Sequence, residues 1–251
     1  MLFSLRSSRP ALGACLIAAI SISACNEDVP EPGCVATGAG TVTDVDGNIY
    51  ETLVIGSQEW MVENLRTSHY ANGDAIPNVT GDGDWENLTT GAFCWFENND
   101  ANDVPYGKLY NRYAVTDTRG ICPVGWHVPT DADWKELESY LGMDSLDVDS
   151  FGFVFRGIAE NVGGKIREMG TEFWIAPNDS ATNESCFSGL PGGGRHFNGT
   201  FSNLGYYGTW WSSTDKDAIS TWYRSVSSHN GSFSRSSYKF GHGVSVRCVK
   251  D

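Results

Sequence analysis

Basic residues are scarce in this 251-residue chain: 17 Lys and Arg stand against 31 Asp and Glu, a formal net charge of −14. A surface that acidic repels phosphate backbones and anionic lipid headgroups, so nucleic acid is not an expected partner. No Cys-x-x-Cys occurs, which removes zinc-ribbon and thioredoxin-type sites. HExxH and G-x-S-x-G are also missing, and "GVSVR" around Ser245 lacks the second glycine of a nucleophile elbow. "LPGGGR" lacks both the GK[ST] ending and the GxGxxG spacing of phosphate-binding loops, so Gly192, Gly193 and Gly194 read as turn residues. Charged residues are only 19% and aromatics reach 12%, a composition of a folded globule rather than a disordered chain.

The longest apolar run, residues 11–24, is shorter than the about 20 residues a membrane-spanning helix needs. With Arg6 and Arg9 before it and small residues at its end, it reads as a secretory signal over residues 1–24. Ile22-Ser23-Ala24-Cys25 resembles the bacterial lipobox, in which the cysteine is acylated and becomes the first residue of a lipoprotein. Several acyl chains on Cys25 would hold the chain to a membrane stably, where one chain holds only marginally. "NEDVPEPG" then gives residues 25–40 the character of an acidic, extended tether. An acidic stretch after the acylated cysteine also resembles the surface-export signals of some Gram-negative lipoproteins. The expected location is the bacterial outer membrane, lipid-anchored and facing the cell surface or the periplasm. Loss of Arg6 and Arg9 with the leader leaves 15 basic residues against 31 acidic ones, a formal charge of −16.

Seven cysteines sort by compartment. Cys15 leaves with the leader and Cys25 carries lipid, so Cys34, Cys94, Cys122, Cys186 and Cys248 remain, and five cannot all pair within one chain. A Cys122–Cys248 bridge would tie the strand before the main helix to the last strand. Cys94–Cys186 is the second candidate, with Cys34 left in the tether.

The domain begins near residue 41. "TVTDVDGNIYETLVIGSQEWMVENL" reads as a meander broken by hairpin turns at Asp46-Gly47-Asn48 and Gly56-Ser57-Gln58. Asp44, Asp46 and Asn48 match the start of a calcium loop, but its twelfth position, a glutamate in such loops, is Ile55, so the turn reading prevails. "GDGDWEN" and "ENNDAND" are oxygen-rich loops that suit Asx turns, with a bound calcium ion as the alternative. No other cofactor is expected. Tyr106, Tyr110 and Tyr113 recur at helical spacing, the sign of a packed face.

"CPVGWHVPTDADWKELESYLG" carries the clearest local signal. Residues 125–128 read as a short strand, Thr130 as an N-cap with Asp133 completing a capping box, and Gly142 as the stop. Trp134, Leu137 and Leu141 form the apolar stripe, leaving Asp131, Lys135, Glu136 and Glu138 for water. Trp126 is expected to pack on Trp134, and His127 to point the other way or hydrogen-bond locally, in a structural role. Beyond residue 144, "LDVDSFGFVF" and "GGKIREMGTEFW" read as strands and loops with at most a short helix at residues 164–170. The last 65 residues read as short strands and glycine turns ending in a half-buried alternating strand, "GHGVSVRCVKD". A helical middle followed by a long low-helix stretch argues α+β.

Together, "TVTDVDGNIYETLVIGSQEWMVENLRT", "GICPVGWHVPTDADWKELESYLG", "FSGLPGGGRHFNGTF", "GYYGTWWSST" and "GVSVRCVKD" resemble the Fibrobacter succinogenes major paralogous domain, over residues 41–251. "WHVPTDADW" and the closing "VSVRC" are also similar to the formylglycine-generating-enzyme group of C-type-lectin-like folds. The resemblance implies a single α+β, C-type-lectin-like domain, with short strands and long irregular loops around one or two helices, a fold that hosts both binding and catalysis. A formylglycine-generating oxidase needs two close thiols for copper in the C-terminal core. Only Cys186 and Cys248 fall there, and Cys248 has a disulfide role. The Glu-Pro-Asn, Gln-Pro-Asp and Trp-Asn-Asp motifs of calcium-dependent lectins are absent.

Residues 206–240 concentrate ten Ser, four Tyr and three Trp. Trp210 and Trp211 read as core. For the rest two readings compete: serine-rich loops flanking core strands, or a contact surface in which rigid aromatic rings and adaptable hydroxyls meet a ligand. The contact surface would comprise Tyr206, Tyr207, Trp222, Tyr223 and Arg224 from its first part. His229, Asn230, Phe233, Arg235 and Tyr238 would complete it. It resembles the mutable patch of retroelement-diversified proteins of this fold. The expected function is that of a non-catalytic, surface-anchored binding lipoprotein for a polysaccharide or a surface protein. A formylglycine-generating-type enzyme and a ligand-free envelope component are the alternatives.

Overall fold

A computed structural model describes residue 38 and residues 40–152 and 155–251. The leader, Cys25, most of the tether and Cys34 lie outside the described residues. No helix among the described residues is long and apolar enough to cross a membrane.

The first sheet grows from the predicted meander. β1 (Gly40–Thr43), β2 (Ile49–Ile55) and β3 (Gln58–Met61) pair antiparallel, Thr43 opposite Ile49 and Ile55 opposite Gln58. The first turn is closed by Asp44, whose carboxylate accepts the Asp46 and Asn48 amides at 3.0 and 2.9 Å and the Tyr50 hydroxyl at 2.6 Å. This is an Asx turn, and it occupies the oxygens that the calcium reading would need. The second turn is a two-residue hairpin loop at Gly56 and Ser57, with Gly56 at φ +65°, in the left-handed region that glycine enters without strain.

Next come β4 (Phe93–Cys94), β5 (Leu109–Asn111) and β6 (Trp126–His127), separated by the helices α1 (Asp82–Glu86), α2 (Asp103–Tyr106) and α3 (Arg112–Val115). The three tyrosines at helical spacing therefore do not share a helix. Tyr106 ends α2, Tyr110 is buried on β5 and Tyr113 lies on α3. Side-chain spacing carried no information here because the chain changes conformation every four residues.

α4 (Asp131–Tyr140) has the capping box in full: Thr130 Oγ1 accepts the Asp133 amide at 3.2 Å and Asp133 accepts the Thr130 amide at 2.7 Å. Trp134, Leu137 and Leu141 are buried as expected. Asp131 and Glu138 are buried too, against the expectation that they face water. The short helices α5 (Ser145–Val148) and α6 (Val162–Ile166) follow, α5 where a strand was expected and α6 slightly before residues 164–170. Among the described residues six α-helices replace the one or two helices expected, but only α4 exceeds five residues.

β7 (Gly192–Arg195) and β8 (Phe201–Leu204) pair with each other. β9 (Tyr207–Asp217), β10 (Ser220–Ser227) and β11 (Ser234–Lys239) form a three-stranded antiparallel sheet in the order β11-β10-β9. The closing segment is not one alternating strand. It splits into β12 (Gly243–Val244), between β5 and β7, and β13 (Val249–Lys250), between β3 and β6, and residues 243–249 are buried throughout. Continuous burial, not alternation, is what a segment threaded between two sheets requires. The Cys122–Cys248 disulfide fixes the chain just before β13 to the approach to β6, as the sequence suggested. The architecture is a mixed α+β domain built from antiparallel sheets.

Trp210 and Trp211 are neighbours on β9 and point to opposite faces. Trp210 enters a core with Trp60, Trp134 and Phe187, while Trp211 enters another with Tyr50, Tyr110 and Val246. Each buried indole N–H finds an acceptor: Trp210 donates to Asn64 Oδ1 at 2.8 Å and Trp211 to the Tyr110 carbonyl at 2.7 Å. Trp134 packs on Trp60, with ring centroids 4.8 Å apart. Trp126 packs against the other core instead, so the expected Trp126–Trp134 contact does not form. His127 makes the expected local bond, to Asp133 at 3.1 Å, and a second to Asp251, 124 residues away, at 2.7 Å.

Candidate ligand-binding cavity

The two-residue period of β10 and β11 sorts their side chains onto two faces. On β10, Trp222, Arg224 and Val226 alternate with Tyr223, Ser225 and Ser227. On β11, Arg235 alternates with Ser234 and Ser236. The register places Ser225 between Thr209 and Ser234, with Tyr223 opposite Ser236. One face of the sheet therefore carries tyrosine and small hydroxyls, and the other carries tryptophan and arginine.

The hydroxyl face opens onto a cavity of about 490 Å³. β7 and β8 contribute Gly193, Gly194, Ser202 and Asn203 to its lining. At one end Tyr223, Tyr238 and His242 form a ring stack, with centroids 4.0 and 4.3 Å apart and planes within 15°. His196 lies edge-on to His242 at 5.7 Å, and its Nε2 is 2.7 Å from Ser202 Oγ. Burial lowers the His242 pKa to about 4, helped by nearby His196 and Lys239 and against a bond to the Lys239 carbonyl. The ring is thus neutral at pH 7. Its Nδ1 donates to that carbonyl at 3.2 Å, which leaves Nε2 as an acceptor. Burial, then the neighbouring Tyr223, raises the Tyr238 phenol above its ordinary value. The hydroxyls of Ser225, Ser227, Ser234 and Ser236 take no hydrogen-bond partner among the described residues.

Behind the sheet lies a buried ion network. Asp131 and Glu138, seven residues apart, share one face of α4. Arg224 donates to both, 2.9 Å to Asp131 and 2.5 Å to Glu138. Arg235 makes a fork to Asp131 at 2.8 and 2.8 Å, and Arg156 a fork to Glu138 at 3.2 and 2.6 Å. Burial alone would raise the Asp131 carboxyl. The hydrogen bonds from Arg235 and Arg224, with their charge, overcome it and hold the group well below the usual carboxylate range. Burial also lowers Arg156 from its ordinary value, against the pull of Glu138. The network clamps α4 to the back of β10 and β11, so the hydroxyl face rests on a fixed floor.

The ten residues expected to form a contact surface divide accordingly. Tyr207, Tyr223, Asn230 and Tyr238 line the cavity. Tyr206 and His229 are exposed outside it, stacked on each other at 6.1 Å. Trp222, Arg224, Phe233 and Arg235 are turned inward: Arg224 and Phe233 are wholly buried, and Trp222 packs under the Arg235 guanidinium at 3.8 Å. None of these four lines the cavity, so they support the candidate site instead of forming it.

The cysteines and acidic loops resolve similarly. Cys94 is free and buried, so it does not pair with Cys186, which is itself disulfide-bonded. Burial raises the Cys94 thiol to about 12. In "GDGDWEN", Asp82 accepts from Arg195 at 3.0 Å, and in "ENNDAND", Asp103 accepts from Trp95 Nε1 at 2.8 Å. Among the described residues no group of three His, Cys, Asp or Glu side chains is placed to hold a metal ion.

A profile of the Fibrobacter succinogenes major domain matches residues 53–250. The chain belongs to that family. No curated protein and no solved structure matches it significantly. The matched span of this Fibrobacter major domain contains α4, the Cys122–Cys248 bridge, every strand that lines the cavity and the whole ion network. Within it, the serines and His196 and His242 are the lining residues that residue-type reasoning missed. The signal for the serines was present: alternation along "TWYRSVS" and "SRSSYK" separates hydroxyls from arginines. Nothing local marks His196 and His242, which tertiary packing brings together.

Proposed function

We propose that this protein is a non-catalytic binding lipoprotein, anchored through acyl chains on Cys25 at the bacterial outer membrane. Its ligand, a glycan or a surface protein segment, seats in the cavity in front of β9, β10 and β11. The observation that supports this best is the coincidence of the cavity with four unpartnered serine hydroxyls over a fixed ionic floor. Its volume of about 490 Å³ falls within the roughly 300–1,000 Å³ of small-ligand pockets. We read the frame as C-type-lectin-like, because the first hairpin and the last strand share one sheet while the loops between them carry the cavity. The oxidase alternative is disfavoured, since Cys248, one of its two candidate thiols, is bonded to Cys122.

Titration of the ¹⁵N-labelled domain with a mixed small-molecule and glycan fragment library tests the reading by location, whatever the ligand class. Amide shifts confined to β10, β11 and the Gly193 turn are expected. Shifts elsewhere only, or none, would favour the ligand-free envelope component. Incorporation of an alkyne fatty acid, lost in Cys25→Ala, tests the anchor.

A further inference from the structure

The charge of the lining narrows the ligand class. The chain carries 31 acidic residues, yet among the described residues no Asp, Glu or Lys lines the cavity. Among the described residues the one guanidinium there belongs to Arg195, and it is already satisfied. Its side chain is wholly buried, donating to the carbonyls of Gly199, Val79 and Thr80 at 2.7–2.8 Å and to Asp82 at 3.0 Å. His242, with its pKa lowered to about 4, adds no charge at neutral pH. An ionic ligand entering would lose its hydration and meet, among the described residues, no carboxylate or ammonium and only the His196 imidazole besides, which is unfavourable.

What the cavity offers is hydroxyls. Each serine supplies one donor and two acceptor lone pairs on a short side chain that loses little freedom when fixed. A sugar hydroxyl has the same inventory, so the two can donate and accept reciprocally. Ser225 and Ser234 are opposite each other in the ladder, with Tyr223 and Ser236 as the next pair, giving a row of hydroxyls across the floor. Tyr207, 42% exposed, stands at the mouth with a ring available to the apolar face of a pyranose. A peptide would need apolar recesses for its side chains, and beyond the exposed rings of Phe155 and Tyr207 the lining gives it only Val226 and Val244 beside aromatic rings already stacked on each other.

Resting on the binding reading above, we infer that the cavity takes an uncharged oligosaccharide, a chain end or short stretch, held by serine hydroxyls and a tyrosine face instead of by a bridging cation. The test uses the soluble domain on an array of uncharged hexose and pentose oligosaccharides, uronate and sulfated oligosaccharides, and peptides, followed by calorimetry on the tightest binder. Uncharged oligosaccharide is expected to bind, unaffected by EDTA or by salt. Ser225→Ala and Ser234→Ala should each weaken it about fivefold, the worth of one net hydrogen bond, with the melting temperature unchanged. Binding of charged glycans or peptides alone, weakened by these serine variants, would overturn the sugar assignment and leave the cavity as the site. Binding of any class that ignores both serine variants and a folded Ser225→Trp would overturn the cavity itself. An array with no uncharged hit would also refute the assignment.

Discussion

Glu138 is the most informative residue to change. It is wholly buried and accepts hydrogen bonds from Arg156 and Arg224. Glu138→Gln keeps the shape and removes the charge, leaving buried Arg156 without a carboxylate partner and Arg224 with Asp131 alone. Breaking a buried ion pair by removing one partner costs about 3–5 kcal/mol, because the remaining charge stays desolvated. For a domain of this size each kcal/mol moves the melting temperature by about 2–4 °C, so a fall on the order of 10 °C is expected. The control is Glu136→Gln, on the exposed face of the same helix, which should stay within about 0.5 kcal/mol of wild type. Urea denaturation followed by tryptophan fluorescence gives both values. Native-state hydrogen exchange should show amides of β10 and β11 opening more readily in Glu138→Gln. If Glu138→Gln lowers stability by less than about 1 kcal/mol, the carboxylate is not the counter-charge that clamps the sheet, and the rigid-floor argument fails.

Acid should destabilise the domain in two stages. The His242 ring binds its proton near pH 4 when folded and near its ordinary 6.5 when unfolded, so its stabilisation is complete above about pH 6.5 and is lost as pH falls toward 4, by up to ~3 kcal/mol. His242→Asn should flatten the melting profile between pH 7 and 4.5. Asp131, held below the usual range, adds a second loss at still lower pH. Reduction of Cys122–Cys248, which closes a separation of 126 residues, should cost about 2–5 kcal/mol of stability. Iodoacetamide at pH 8 should leave Cys94 unmodified in the folded domain and label it after unfolding, because the folded thiol stays protonated.

Local signals survived folding where the chain decides its own geometry. The capping box at Thr130 and Asp133, the turn at Asp44 and the Gly56 hairpin depend on neighbouring residues and stood as read. The charged face of α4 did not. Asp131 and Glu138 look solvated in a helical wheel, and only the arrival of Arg156, Arg224 and Arg235 from 18 to 104 residues away buries them. The final segment failed for a related reason: a run threaded between two sheets is buried on both sides, and alternation disappears. The contact residues were half legible. Their composition located strands that line the cavity, but grouping Arg224 and Arg235 with Tyr223 and Tyr238 ignored the two-residue period that sends neighbours to opposite faces.

In the proposed function β10 and β11 divide into a hydroxyl face turned to the ligand and an arginine face that holds the sheet. A crystal structure of the domain soaked with uncharged oligosaccharides tests it most directly. Sugar density between Ser225, Ser234 and the ring of Tyr207, with Arg224 still bonded to Asp131 and Glu138, is the predicted result. Sugar bound only outside the cavity, or an Arg224 side chain released to contact it, would contradict the division.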